Sequence, residues 1–190
     1  MKALRLALAL LIALAAACAF GEQVLQSDPN HTFAWFQFDH LGLSIQRDRF
    51  DKVDATVHLD TPDHIGSVQA RIQVDSLSTG SAFFNKMLLG DAFFDAAKFP
   101  EIRYASTAFH FGRFDDVTRV DGNLTIKGIT RPVTLTVTNY KCMLDPQLHR
   151  PICGLNAMAR IERSDFDLGK YVPFVSNDVM LYVSIEAIEH

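Results

Sequence analysis

The sequence predicts an all-β protein of about eight antiparallel strands, arranged as a closed barrel or a sandwich, with two short helices inserted midway. Three observations lead there. Apolar and polar residues alternate with period two in run after run from residue 31 to the C-terminus. The gaps between runs are of hairpin length and hold turn residues such as Pro62-Asp63 and Lys127-Gly128-Ile129-Thr130-Arg131. One stretch, residues 81–99, drops the alternation for helical spacing.

The first residues of the 190-residue chain carry a different signal. Lys2 and Arg5 precede an apolar run from Leu6 to Ala17, and Ala17-Cys18-Ala19 has the small-x-small form of a cleavage site. The segment reads as a signal peptide over residues 1–19, leaving one domain over 20–190. Leu14-Ala15-Ala16-Ala17-Cys18 loosely resembles a lipobox, which would make Cys18 a lipid anchor. Ala15 stands where that motif usually has Leu, and ordinary cleavage to a soluble exported product is favoured. The net charge of −4 becomes more acidic once Lys2 and Arg5 are removed. That balance argues against binding to a phosphate backbone or an anionic membrane surface.

The first run, HTFAWFQFDH, carries aromatics on both faces: Phe36 and Phe38 on one, Phe33 and Trp35 on the other. A segment near 43–50 follows. Val53, Ala55, Val57 and Leu59 alternate with polar residues, as do Val68, Ala70, Ile72 and Val74. In residues 81–99, Phe84, Met87 and Leu88 are spaced i, i+3, i+4, and Phe93, Phe94 and Ala97 repeat the spacing after Gly90-Asp91. This predicts two short helices, the second capped by Asp91 and ended by Pro100. EIRYASTAFHF is the next strand; Val120, Leu124 and Ile126 mark another. Pro132 is expected at the start of the strand that holds Val133, Leu135 and Val137, where its missing donor is tolerated. Leu155, Ala157, Ala159 and Ile161, then Val179, Leu181, Val183 and Ile185, complete the set.

Cys142 and Cys153 flank the loop MLDPQLHRPI. An even pair in an exported chain reads as one disulfide across the mouth of that loop. A zinc site would need more ligands than the nearby His149, and a redox pair usually has Cys-x-x-Cys spacing. No metal site is expected. The inward residues are mostly apolar and many are small, which suits either a packed core or a lumen for one small ligand. Composition leaves those two open.

Five stretches, in order, resemble the YceI-like proteins: His31-Thr32 with Phe36, Phe38 and His40-Leu41-Gly42; Ser76-Leu77-Ser78-Thr79-Gly80; Asp91-Ala92-Phe93-Phe94-Asp95 with Lys98-Phe99-Pro100-Glu101-Ile102; residues 122–135; and Arg163-Ser164-Asp165-Phe166. The resemblance runs from about residue 28 to 188. It implies a lipocalin-like eight-stranded barrel whose apolar channel binds a polyisoprenoid or a similar long-chain amphiphile. Family members are associated with isoprenoid quinone metabolism or transport and with stress at high pH or osmolarity. Family members often carry Asp and His at positions matching Asn85 and Met87, and a basic residue near Leu89. Their loss here implies a less charged head group, a quinone or free prenol rather than a diphosphate. Asp167 stands where Gly is usual and is expected to alter the late turn.

The lining expected on this resemblance is Ala34, Phe36, Phe38, Ile72, Val74, Leu124, Leu135, Val137, Ile161 and Val183. Phe93 and Phe94 close the mouth, and His40 is the candidate hydrogen-bond donor to a ligand oxygen, unless Asp39 or Asp48 satisfies it. Arg163 and Asp165 are expected to pair and shape a turn. The bound molecule is an isoprenoid lipid or quinone, with no other cofactor and no nucleic acid. A homodimer or a membrane donor or acceptor protein would complete the partners, and Phe33 and Trp35 should lie beneath a covering segment or a second subunit. Alternatives are a carrier of fatty acid or haem, for which His31, His40, His58 and His110 are candidate ligands without a Cys-x-x-Cys-His attachment. A lipid hydrolase is a further alternative: Asp39, His40 and Ser44 have triad residue types, but no Gly-x-Ser-x-Gly elbow is present.

Overall fold

The computed structural model describes residues 22–189, so the signal peptide and the Cys18 alternative fall outside the described residues. The strands are β1 (Gln23–Ser27), β2 (Phe33–His40), β3 (Ser44–Phe50), β4 (Val53–Asp60), β5 (Ile65–Gln73), β6 (Leu77–Ser78), β7 (Glu101–Phe111), β8 (Val117–Ile126), β9 (Ile129–Leu144), β10 (Pro151–Glu162) and β11 (Asp178–Glu189). They build a barrel of eight staves. β1 and β2 are two halves of the first stave, and β3 and β4 two halves of the second: β2 pairs with β3, and β1 with β4. The ring continues through β5, β7, β8, β9, β10 and β11, and β11 closes it by pairing with both β1 and β2. Every pairing is antiparallel, and closure removes the free edges except at the upper ends of β9 and β10. Thr32, at the break in the first stave, is fully buried and its hydroxyl donates to the Glu186 carbonyl (3.2 Å).

The antiparallel order places the β2–β3 hairpin and the connections β5–β7, β8–β9 and β10–β11 at one end, here the upper end. The β5–β7 connection holds a single helix, α1 (Ala82–Leu89), where two were expected. Ser81 caps it by accepting from the Phe84 amide. Residues 91–97 instead fold back onto the end of α1. The amides of Phe94 and Ala96 donate to the carbonyls of Leu88 and Leu89, and those of Phe93 and Asp95 to Gly90. A helix C-terminus has unpaired carbonyls that must be satisfied, and here the donors that a second helix would use are spent on them. Asp95 takes a left-handed conformation (φ 48°), which also stops helix propagation. On α1 the packed side chains are Met87, Leu88 and Leu89, while Phe83 and Phe84 are 71 % and 47 % exposed. Phe84 is thus not on the buried face that the spacing assigned to it.

Lys127 and Gly128 make a two-residue turn between β8 and β9, both with positive φ (51° and 73°), as a right-twisted hairpin prefers. β9 starts at Ile129, so Pro132 lies inside the strand and not at its start. Counting outward from the Ile126–Ile129 pair, the Asn123–Pro132 pair is a non-hydrogen-bonded one, and the Pro132 nitrogen faces away from β8. On that side β9 has no partner: its ladder to β10 runs only between residues 136–144 and 151–158. The seam between β9 and β10 therefore opens at its upper end, where Pro132 has no donor to offer. Phe166, 1 % exposed and in the 3-10 turn Arg163–Phe166, lies at this breach. Outside it is a cleft of about 340 Å³ lined mainly by charged side chains, including Arg131, Arg160, Glu162, Asp165 and Asp178.

Among the described residues no helix covers Phe33 and Trp35. The two rings lean on each other (5.6 Å between centroids), Arg49 lies 5.0 Å over Phe33, and Trp35 is flanked across the sheet by Arg49 and Tyr182. These contacts leave both rings half-buried.

Candidate functional site

The barrel interior is the candidate site. Along the upper half of the first two staves the inward pairs run downward from the rim as His40–Ser44, Phe38–Gln46, Phe36–Asp48 and Ala34–Phe50. Beneath the connection at the upper end, Phe94 packs edge-on against Phe36 (6.1 Å) and Phe50 (5.5 Å), and Phe36 stacks on Phe38 (6.1 Å). Phe93 lies farther out, against Tyr171 (6.1 Å). These rings form an aromatic plug, built from the folded-back segment and not from the second helix expected there.

Below the plug the wall is made of small residues and one large one. Ala55, Ala70 and Ala159 belong to the apolar cluster with Tyr104. The Tyr104 hydroxyl is within hydrogen-bond distance of the carbonyls of Val120 (3.0 Å) and Val133 (3.2 Å), and a Cβ on Gly122 would collide with its ring. Glycine at 122 is what lets the tyrosine lie over β8 and reach the β8–β9 seam along the inner wall. In the lower half remains a void of about 60 Å³ whose walls include Leu25, Val57, Leu59, Val120, Leu155 and Ala187.

Of the expected lining, Leu135 and Val183 border this void. Phe36, Phe38, Ile72, Val74, Leu124, Val137 and Ile161 belong to the same apolar cluster, and Ala34 is buried opposite Val183 and Phe50. His40 is half-buried at the rim, where it bridges Val175 of the β10–β11 connection. Asp39 is not its partner: the Asp39 carboxylate accepts from the Gly42 amide (2.6 Å) and closes the hairpin, while the Ser44 hydroxyl accepts from the Gln46 side chain (2.7 Å). Asp39, His40 and Ser44 therefore do not form the bonded relay a triad needs.

Arg163 does not pair with Asp165. Its buried guanidinium donates to the carbonyls of Leu168, Val175 (2.9 Å) and Ser176 (2.7 Å), tying the β10–β11 connection into one body. Asp167 adopts the left-handed conformation (φ 57°) that makes Gly a natural choice there, and its carboxylate meets Lys127 (2.7 Å). Asn85 accepts from the Thr79 amide (2.9 Å) and hydroxyl (2.8 Å), holding the entrance to α1 in shape. The disulfide joins Cys142 and Cys153, directly opposite each other on β9 and β10 at the lower end.

The sequence named Asp48 only as a possible partner for His40, not as a lining residue. Its strand, SIQRDRF, does not alternate, and its most apolar early residue, Ile45, faces out at 53 % exposure. The register with β2 decides the matter: Asp48 sits opposite Phe36 and shares its inward face. It is 7 % exposed, and burial alone pushes its carboxyl up to about 6.

An up-and-down barrel of eight staves with an apolar interior is the class of small β-barrel that either packs its core with side chains or holds one small ligand. A YceI-like domain model matches residues 25–187, and the chain belongs to that family. Protein YceI of Salmonella arizonae is 29 % identical over 169 residues, covering 88 % of this chain and 87 % of its own. The crystal structure of Burkholderia cenocepacia BcnA superposes with a TM-score of 0.72 at 25 % identity, covering 84 % of this chain and 98 % of that one. A polyisoprenoid binding domain from Saccharophagus degradans, implicated in plant cell wall breakdown, shares the fold at a TM-score of 0.65 and 14 % identity, over 88 % and 99 % of the two chains.

Proposed function

We propose that this protein is a periplasmic carrier, exported by a signal peptide over residues 1–19, that holds a long-chain isoprenoid lipid or isoprenoid quinone inside the barrel. The observation that carries the reading is the all-apolar void in the lower half, continuous in character with the plug above it. The binding domain of Saccharophagus degradans supports the ligand class. Burial of an aliphatic chain supplies about 0.8 kcal/mol per methylene, so affinity needs few polar contacts. The void of about 60 Å³ is well below the ~300–1,000 Å³ of ordinary ligand pockets, so loading displaces the rings of Phe36, Phe50 and Phe94. On this reading the barrel binds and does not catalyse, its service under stress is transport, and a membrane donor or a second copy meets it from outside.

Native mass spectrometry and organic extraction of the protein purified under mild lysis test the reading. An isoprenoid in the extract is expected. Protein that is lipid-free from its own cells and takes up no prenol or quinone would overturn it, and a fatty acid or haem in the extract would replace the ligand class.

A further inference from the structure

The buried polar side chains of the interior differ in how they are satisfied. Ser27 accepts from the Ala55 amide (2.8 Å), Thr32 donates to Glu186, and Arg163 serves three carbonyls. Asp48 is more than nine-tenths buried as a residue; its carboxylate has no hydrogen-bond or ion-pair partner among the described residues, and its oxygens keep a little accessible surface. It faces inward between Phe36 across the sheet and Phe50 two residues on, and Phe94 packs on both rings. A carboxyl held in such a place without a partner costs stability, and a native structure keeps it where something else completes it. The pair His40–Ser44 marks the rim, and Asp48 lies about 13 Å from Ser44 along the tilted strand. The interior beneath is mainly apolar down to the void, and the Ser27 and Tyr104 hydroxyls within it are bonded to backbone groups. A single unpaired polar group above a mainly apolar shaft fits a molecule with one small polar end and a long hydrocarbon tail.

The kind of polar end follows from carboxyl chemistry. An ionised carboxylate accepts from a hydroxyl, and a protonated one donates to it, so an alcohol is satisfied in either state. A phosphate or carboxylate head would face the same negative charge in a low-dielectric site. We propose that Asp48 anchors the head group and selects an isoprenoid chain ending in a hydroxyl over one ending in phosphate or carboxylate. This rests on the carrier reading above and specifies the head group within it.

The test compares geranylgeraniol with geranylgeranyl diphosphate on the delipidated full chain at about pH 7.5, where Asp48 is mostly ionised. Wild type should prefer the alcohol by roughly tenfold or more. Asp48→Asn keeps the shape and a hydrogen bond but removes the charge; it should hold the alcohol nearly as well and gain about tenfold for the diphosphate. Asp48→Leu should lose about tenfold for the alcohol while melting higher than wild type, a combination that a purely structural role would not give. Unchanged alcohol affinity in Asp48→Leu, unchanged diphosphate affinity in Asp48→Asn, or a wild-type preference for the diphosphate would each overturn the assignment. If wild type binds neither probe and its extract is empty, the carrier reading itself falls; if it binds and the Asp48 variants match it, only the anchor falls.

Discussion

Asp48 carries a pH signature of its own. Its ordinary value is 3.8 and burial raises it to about 6, so the folded chain holds the proton more tightly than the unfolded chain. Its contribution to stability is therefore complete below about pH 4 and is lost as the pH rises through about 6. Asp121, Asp167 and Asp178 behave oppositely, because hydrogen bonds and cations lower their carboxyls, and they mask the effect in wild type alone. The comparison with Asp48→Asn isolates it. In thermal melts of delipidated protein, the variant should exceed wild type above about pH 7, by roughly 2–4 °C per kcal/mol recovered, and the gap should close near pH 4. A gap that does not narrow on acidification would show that Asp48 is solvated in the fold. Its inward position was illegible in the sequence, where it figured only as a possible partner for His40, because an aspartate in a non-alternating strand reads as solvent-facing; only the pairing register with Phe36 turns it inward.

At the scale of elements, the legible parts were those where one local rule acts alone. Alternation in β4, β5, β10 and β11 puts Val57, Val68, Ala157 and Val183 on the inner face, because period two admits no other choice once one face is buried. The turn that begins at Lys127-Gly128 is likewise local chemistry, although it takes two residues where residues 127–131 were expected. The second helix was misjudged because its spacing competes with a tertiary demand, the unpaired carbonyls at the end of α1. The break at Pro132 was misplaced for a similar reason, since where a ladder stops depends on the neighbouring strand. The disulfide is the element-scale feature with the clearest energetic consequence. It closes a short loop and ties β9 to β10 at the lower end, where their ladder is intact. Replacing both cysteines with alanine should cost about 2–4 kcal/mol in chemical denaturation, while prenol affinity stays within about twofold. A larger loss of affinity than of stability would mean that the bridge shapes the lumen.

For the molecule as a whole, ligand and fold are thermodynamically linked. Prenol at roughly a hundred times its Kd should raise the stability of delipidated protein by about 2.7 kcal/mol, read as a higher melting temperature. Val137→Trp fills the interior and should abolish that rise while the unliganded melting temperature falls far less; a full ligand-dependent rise in the variant would move the binding site away from Val137. The open seam beside Pro132 gives the barrel a mechanical property. In a complete barrel the circumference is set by a continuous hoop of hydrogen bonds, and widening it means breaking bonds all round. Here the hoop is cut in its upper part, where β9 and β10 are held apart and Phe166 lies against the gap. Widening the upper ring costs no ladder bond between β9 and β10, only the packing of Phe166 and the Lys127–Asp167 contact across the gap, while the disulfide clamps the lower ring. The protein is a sleeve slit at the cuff.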